Sequence, residues 1–231
     1  MRTIGLLGGM SWESSIEYYR IINQETRRRL GGTHSAKSVM VSVDFHEIEE
    51  MQHRGDWEVA TAAMVAGARA AQAGGADCLV ICTNTMHRMA SEVQEAIDIP
   101  LLHIADATGE AVGAAGIGTV ALLGTRFTME HAFYRGRLEE RHGLEVLIPD
   151  EAGRALVHDV IYQELVRGVV ADASRAGYLE IIDGLVDRGA GGVIAGCTEI
   201  ELLVTPDDVD VAYVPTTRLH AEAAVAWALE T

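Results

Sequence analysis

Cysteine is scarce in this sequence of 231 residues: there are three, without the spacing of a zinc site or a disulfide framework. That usage is typical of a reducing compartment. Long apolar runs are also missing, since nowhere do about 18 apolar residues follow one another, which excludes an ordinary transmembrane helix. The first residues hold only a short apolar run, Ile4 to Leu7, too short for the core of a secretory signal. We therefore expect a cytoplasmic protein.

Basic residues are few as well, because 18 Lys and Arg stand against 34 Asp and Glu, a formal net charge of −16. Such a charge repels nucleic acid and anionic membranes, so neither is expected as a partner. An anionic substrate would need hydrogen-bond donors in its binding site, such as helix N-termini or arginines, to offset this charge. Hydrophobic residues at 48% and charged residues at 23% are ordinary for a globular protein that buries a real core.

Eight short apolar runs alternate with helix-period stretches along the chain. This alternation predicts an α/β fold with mostly parallel sheets and helices on both faces. The predicted strands cover residues 3–7, 39–43, 78–82, 101–104, 119–123, 145–148, 193–195 and 211–214.

An internal repeat organises the chain. Residues 75–83 align without gaps on residues 189–197, an offset of 114, and residues 3–8 match residues 119–124 at a nearly equal offset of 116. Two structural copies are the favoured account. The alternative is that unrelated βα units look alike through Gly-Ala turns and Val/Ile strands. We predict two pseudo-symmetric lobes, residues 1–104 with 217–231 and residues 105–216, with the active site in a cleft between them at the carboxyl ends of both sheets.

The repeat pairs Thr83 with Cys197, each at the end of a predicted strand and before a predicted helix. Helix N-terminal amides bind carboxylates and lower a thiol's pKa, so Cys197 is predicted to ionise near neutral pH. Two such groups on opposite sides of a carbon atom suit removal and return of an α-proton. The alternatives are a buried structural thiol at Cys197 and plain helix capping by Asn84 and Thr85.

Three motifs resemble those of the aspartate/glutamate racemase family of cofactor-independent racemases, nearly end to end. They are Gly5-Leu6-Leu7-Gly8-Gly9-Met10-Ser11-Trp12-Glu13-Ser14 with Tyr18-Tyr19, then Thr83-Asn84-Thr85-Met86-His87, and Gly196-Cys197-Thr198-Glu199-Ile200. The resemblance implies two Rossmann-like lobes, a small amino-acid substrate between them, two-base catalysis, no metal or pyridoxal phosphate, and a homodimer.

One position departs from the family pattern. A cysteine usually stands directly before the Asn-Thr pair, whereas here the residue is Thr83 and the nearest thiol, Cys82, comes one residue earlier. Strand side chains alternate between faces, so Cys82 should point away from the substrate unless the strand has already ended there. A hydroxyl is harder to ionise than a thiol by roughly 7 pK units. We therefore predict turnover that is slow or markedly asymmetric between L and D substrate, with Cys197 as the stronger base.

The predicted catalytic residues are thus Thr83 and Cys197, and the predicted substrate-binding residues are Met10, Gln52, Asn84, Thr85, Thr125, Thr198 and Glu199. By the same resemblance, aspartate-specific relatives tend to have a lysine for the distal group of the substrate, and the matching residue here is Val166. Whether the substrate has an acidic side chain therefore stays open. Arg54 or Arg126 are the alternative cations, although surface ion pairing is the commoner role of such arginines.

Other expectations and functions stay open at this stage. His87 is expected about one turn into its helix, packing on the helix surface. Residues 46–50 begin like a zinc helix but lack its second histidine, so no metal site is expected. The alternative functions are a decarboxylase or cis–trans isomerase of a small dicarboxylate, and a non-catalytic amino-acid-binding protein.

Overall fold

The computed structural model describes residues 1–230 of the chain. They divide into two compact units, one formed by Met1–Ile104 together with the chain from His220 onward, the other by Ala105–Leu219. Within these described residues, no helix has both the length and the apolar character needed to cross a membrane.

The first unit is built on a four-stranded parallel sheet. Its strands are β1 (Ile4–Gly8), β2 (Ser38–Ser42), β3 (Cys78–Ile81) and β4 (Leu101–Leu102), in the order β2-β1-β3-β4. The helices between them are α1 (Trp12–Leu30), α2 (Phe45–Arg54), α3 (Trp57–Ala73) and α4 (Ala90–Glu95), with a 3-10 helix at Thr85–Met89.

The second unit repeats this plan. Its strands are β5 (Thr119–Gly124), β6 (Glu145–Leu147), β7 (Gly192–Gly196) and β8 (Ala212–Pro215), all parallel, in the order β6-β5-β7-β8. Its helices are α5 (Ile104–Ala114), α6 (Arg126–Glu130), α7 (Ala132–His142), α8 (Glu151–Gln163), α9 (Asp172–Asp187) and α10 (Ile200–Leu203), with 3-10 helices at Leu165–Arg167 and Pro206–Asp208. The last helix, α11 (Thr216–Leu229), carries the chain back into the first unit.

The predicted α/β class is confirmed, and a strand lies at each of the eight predicted runs. The two sheets also share one strand order, so that β3 and β7 hold equivalent places beside the central strands β1 and β5. Those are the strands that the internal repeat aligns. The repeat therefore has a structural counterpart in the topology of the two units.

Helices cover both faces of the first sheet, and the alternation of strand side chains decides which core each residue joins. Leu79 and Ile81 pack with the apolar side of α3, whereas Val80 and Cys82 pack with residues of α1 and α11 on the other face. Cys82, which follows the last residue of β3, is fully buried there. Burial raises the pKa of its thiol, so Cys82 is a core residue in chemical as well as in structural terms.

Candidate functional site

The candidate residues follow directly on two equivalent strands. β3 ends at Ile81, two residues before Thr83, and β7 ends at Gly196, one residue before Cys197. Thr83 and Cys197 both remain partly exposed, while Cys78 and Cys82 are fully buried. Cys197 is therefore the only one of the three thiols in residues 1–230 that is open to a reactant.

A glycine sets the position of Cys197. A Cβ atom on Gly196 would lie 2.7 Å from the main-chain oxygen of Leu123 in β5, closer than real contacts allow. The absence of a side chain lets the end of β7 lie close against β5, with which it pairs in register. The residue that follows is thus held by a rigid part of the sheet.

Cys197 has a carboxylate partner. Its Sγ donates to Oε2 of Glu199 at 2.9 Å, and Glu199 is itself buried, with 7% of its surface exposed. Burial, followed by the charge and the hydrogen bond of Glu199, raises the pKa of the Cys197 thiol well above its ordinary value. The predicted lowering of this pKa by a helix N-terminus is wrong, because α10 has only four residues and Glu199 lies against the thiol.

Thr83 stands in a different environment. No hydrogen bond of its Oγ1 atom is present within the described residues, so its hydroxyl has no carboxylate comparable to Glu199. Asn84 and Thr85, which follow it, are buried polar residues at the start of the 3-10 helix. Asn84 makes no side-chain capping bond to that helix, so plain helix capping does not account for it.

Threonines surround the end of β7. Thr217 donates from Oγ1 to Oγ1 of Thr198 at 3.4 Å, and the buried Thr216 donates to the main-chain oxygen of Ala195 at 2.8 Å. Thr216 and Thr217 were not predicted as site residues. Their only signal in the sequence is a Thr-Thr pair after an apolar run, which is common at the start of any helix.

The three remaining predicted binding residues are engaged in the structure. Met10 is buried in the core beside α3, and Gln52 is buried and donates to Sδ of Met86 at 3.2 Å. Thr125 caps α6, since its side chain accepts from the main-chain N–H of Thr128. These contacts hold the side chains in place without showing a ligand role.

The proposed alternative cations differ from one another. Arg54 is exposed and pairs with Asp56 at 2.8 Å and Glu50 at 3.2 Å, the surface role that arginines commonly take. Arg126 is exposed at the start of α6. Val166 lies in the 3-10 helix that follows α8 and is partly buried.

His87, which was expected to pack on the surface of its helix, is buried with 1% of its surface exposed. Its Nδ1 lies 2.8 Å from the main-chain oxygen of Thr83. For metal ions, residues 1–230 contain no group of three or more His, Cys, Asp or Glu that could hold one.

The model of the Asp/Glu/Hydantoin racemase family matches this chain over residues 7–224. Among curated proteins, the chain is 21% identical over 170 residues to the broad specificity amino-acid racemase RacX of Bacillus subtilis (strain 168), which covers 71% of this chain and 70% of RacX.

Solved structures match over the full length. A candidate Asp/Glu racemase from Yersinia pestis is 50% identical with a TM-score of 0.93, covering 100% of both chains. An aspartate racemase homologue from Pyrococcus horikoshii OT3 is 29% identical with a TM-score of 0.86, again over 100% of both chains.

Proposed function

Because the chain belongs to the Asp/Glu/hydantoin racemase family, we propose that it is an amino-acid racemase, an isomerase that works without pyridoxal phosphate or metal. The observation that carries the proposal is the partly exposed Cys197 thiol, donating to a buried carboxylate at the end of β7. Aspartate, glutamate or a broader set of amino acids is the proposed substrate class, as in the relatives named above.

In the proposed first step, Cys197 takes the α-proton of the substrate. The thiol must first lose its own proton, and Glu199 Oε2, 2.9 Å from Sγ, is the atom that receives it. The resulting thiolate then removes the α-proton and leaves a planar carbanion. Glu199 was predicted to bind substrate; we now propose that it acts on Cys197.

Thr83 supplies the proton to the opposite face. A carbanion is basic enough to take a proton from a hydroxyl, and the partly exposed Thr83 alkoxide then takes a proton from water. Glu199 releases the thiol proton to the hydroxide that this leaves, while Cys197 keeps the α-proton, so all three residues return to their starting states. In the reverse reaction, Thr83 removes the α-proton, so its hydroxyl must first lose its own proton. No carboxylate accepts a hydrogen bond from it in the described residues, so proton removal by Thr83 is the slower process.

Polar groups next to these two residues are proposed to hold the substrate. Asn84 and Thr85 follow Thr83, and Thr198 follows Cys197. Met10, Gln52 and Thr125 complete the proposed binding set, with Met10 acting through its main chain.

A homodimer in the cytoplasm stays a prediction, which sedimentation equilibrium and cell fractionation would test.

The deciding experiment is α-proton exchange of a panel of D- and L-amino acids in D2O, read by NMR, with wild type beside Cys197→Ala. Exchange that the alanine variant loses supports the proposal. If wild type exchanges no α-proton from any of the amino acids, the racemase assignment is refuted.

A decarboxylase or isomerase of a small dicarboxylate is the second candidate. It is favoured by one observation, that Cys197 is the single thiol of residues 1–230 that is not buried, which one-cysteine chemistry requires. Release of CO2 from substituted malonates, or isomerisation of maleate, without amino-acid exchange would select it. Binding of an amino acid without any chemistry would instead indicate a binding protein.

A further inference from the structure

Three buried histidines form a cluster in the first unit. The ring centroid of His87 lies 4.6 Å from that of His103 and 5.5 Å from that of His220. His220 in α11 also lies 2.8 Å, through Nδ1, from the hydroxyl of Tyr18 in α1. Nothing in the proposed chemistry uses an imidazole, so this cluster needs an account of its own.

Hydrogen bonds to main-chain groups fix the tautomer of His87. Ile104 donates its N–H to Nε2 of His87 at 3.3 Å, so Nε2 carries no proton and Nδ1 must be the N–H that donates to the Thr83 oxygen. The Leu102 oxygen accepts from Nε2 of His220 at 2.8 Å, and Nδ1 of the same ring shares a hydrogen bond with the Tyr18 hydroxyl. The His87 ring is thus held with Nε2 as acceptor and Nδ1 as donor.

The cluster thus connects the β4–α5 junction to the turn that carries Thr83. The main-chain oxygen of Leu102 is hydrogen-bonded to His220, and the main-chain N–H of Ile104 is hydrogen-bonded to His87. Ile104 and His220 are also where the chain leaves the first unit and returns to it. His87 is the member that extends this bonded frame to Thr83.

We propose that His87 is a positioning residue, whose Nδ1–H holds the main chain of Thr83 so that the Thr83 hydroxyl points at the reacting carbon. This inference rests on the proposed racemase function. Threonine is β-branched and stiff at χ1, so the direction of its hydroxyl follows the orientation of its backbone. Proton transfer needs donor and acceptor within hydrogen-bond reach, and a misplacement of about 1 Å can lower a rate about 100-fold.

Two substitutions separate the two bonds of His87. In His87→Asn, the side-chain amide occupies the place of Nδ1 and can still donate to Thr83, while the bond from Ile104 is lost. In His87→Gln, the longer side chain can accept from Ile104 at the place of Nε2, while the bond to Thr83 is lost. Each variant therefore removes one hydrogen bond of the same ring, and each serves as the control for the other.

The readout is α-proton exchange in D2O at saturating substrate, measured for each enantiomer separately. Thr83→Ala identifies the enantiomer whose exchange requires Thr83. For that enantiomer, His87→Gln is expected to lower exchange about tenfold or more and His87→Asn by less than about threefold. The other enantiomer, which depends on Cys197, should change little in both variants. Selective 15N labelling of histidine should show Nδ1 of His87 protonated and Nε2 unprotonated.

Several results would overturn the role. Equal losses in the two variants, or equal losses for the two enantiomers, would indicate a general structural effect, which thermal unfolding of both variants would then reveal. A His87 whose Nδ1 is unprotonated would remove its donor. If wild type exchanges no α-proton at all, the proposed function itself fails and this role with it. Normal wild-type exchange with indistinguishable variants overturns the role alone.

Discussion

Replacing Glu199 by glutamine should change the reactivity and the catalytic use of Cys197 in opposite directions. Glu199 is near in shape to glutamine, but the substitution removes the negative charge beside Sγ. That charge helps to keep the thiol protonated, since it raises the pKa of Cys197 along with burial. The same carboxylate is the proposed acceptor of the thiol proton.

The expected size of the effect follows from the distance. Two unit charges 2.9 Å apart interact by about 6 kcal/mol at an effective dielectric constant of about 20. The carboxylate charge is shared by two oxygens and Cys197 keeps contact with solvent, so we take about half, ~3 kcal/mol. That corresponds to roughly 100-fold more thiolate near neutral pH. A less basic thiolate is also a weaker nucleophile, with a Brønsted slope of about 0.5, which leaves alkylation about tenfold faster.

The assay compares iodoacetamide labelling, mapped to Cys197 by mass spectrometry, with α-proton exchange in the same preparations. Glu199→Gln should label about tenfold faster and exchange about 100-fold more slowly or worse. Glu201→Gln is the matched control, because Glu201 also raises the pKa of Cys197 but is the smallest of the causes. It should speed labelling less and leave exchange nearly intact. Labelling that is unchanged or slower in Glu199→Gln would refute the reasoning.

Three further substitutions test other parts of the structure. Thr83→Cys should raise exchange of the slow enantiomer about tenfold or more, whereas Thr83→Ser should not, and no gain from cysteine would place the acid/base group elsewhere. Gly196→Ala should destabilise the fold by about 1–3 kcal/mol in a denaturant titration and impair exchange, since the added Cβ meets a main-chain oxygen. Gly184→Ala is the control: it has open space around it inside α9, so the same titration should show a neutral or stabilising effect. Glu25 is held by Arg28 at 2.6 Å, and that hydrogen bond, which outweighs burial, lowers its pKa to about 2. Its stabilisation is complete above the unfolded value of about 4.3 and is lost as the pH falls towards 2. Because Arg28 is exposed, we expect the pair to stabilise the folded state by only about 1 kcal/mol. The difference in unfolding midpoint between wild type and Glu25→Gln should therefore shrink below about pH 4. A difference that does not change with pH would contradict this prediction.

The strands of both sheets were predictable because a parallel sheet covered on both faces needs continuous apolar runs. Val80 and Ile81, for example, face different cores and are both fully buried, so the run shows no polar alternation. The placement of Thr83 and Cys197 after equivalent strands followed from the repeat. The strand bounds differ from the predicted ones by one or two residues, as at Ile81, where the strand ends earlier than its apolar run.

The environment of each site residue was not predictable in the same way. Glu199 is only two residues from Cys197, but whether its carboxylate turns back onto the thiol depends on the four-residue helix that follows. His87 and His220 are 133 residues apart, and no local pattern indicates that their rings meet. Periodicity reports which face of an element is apolar, whereas these contacts come from packing between elements.

The two units thus share a strand order but differ in the hydrogen bonds made at Cys197 and at Thr83. At Cys197 a carboxylate meets the reactive atom itself, whereas at Thr83 the imidazole of His87 meets the main chain and leaves the hydroxyl alone. The enantiomers of an amino acid have equal free energies in water, so kcat/KM for inversion must be the same in both directions whatever the residues are. The asymmetry therefore has to appear in kcat and KM taken separately, and in exchange without inversion. The proposed roles of Thr83 and Cys197 can therefore be distinguished by kcat for inversion at saturating substrate, or by exchange without inversion.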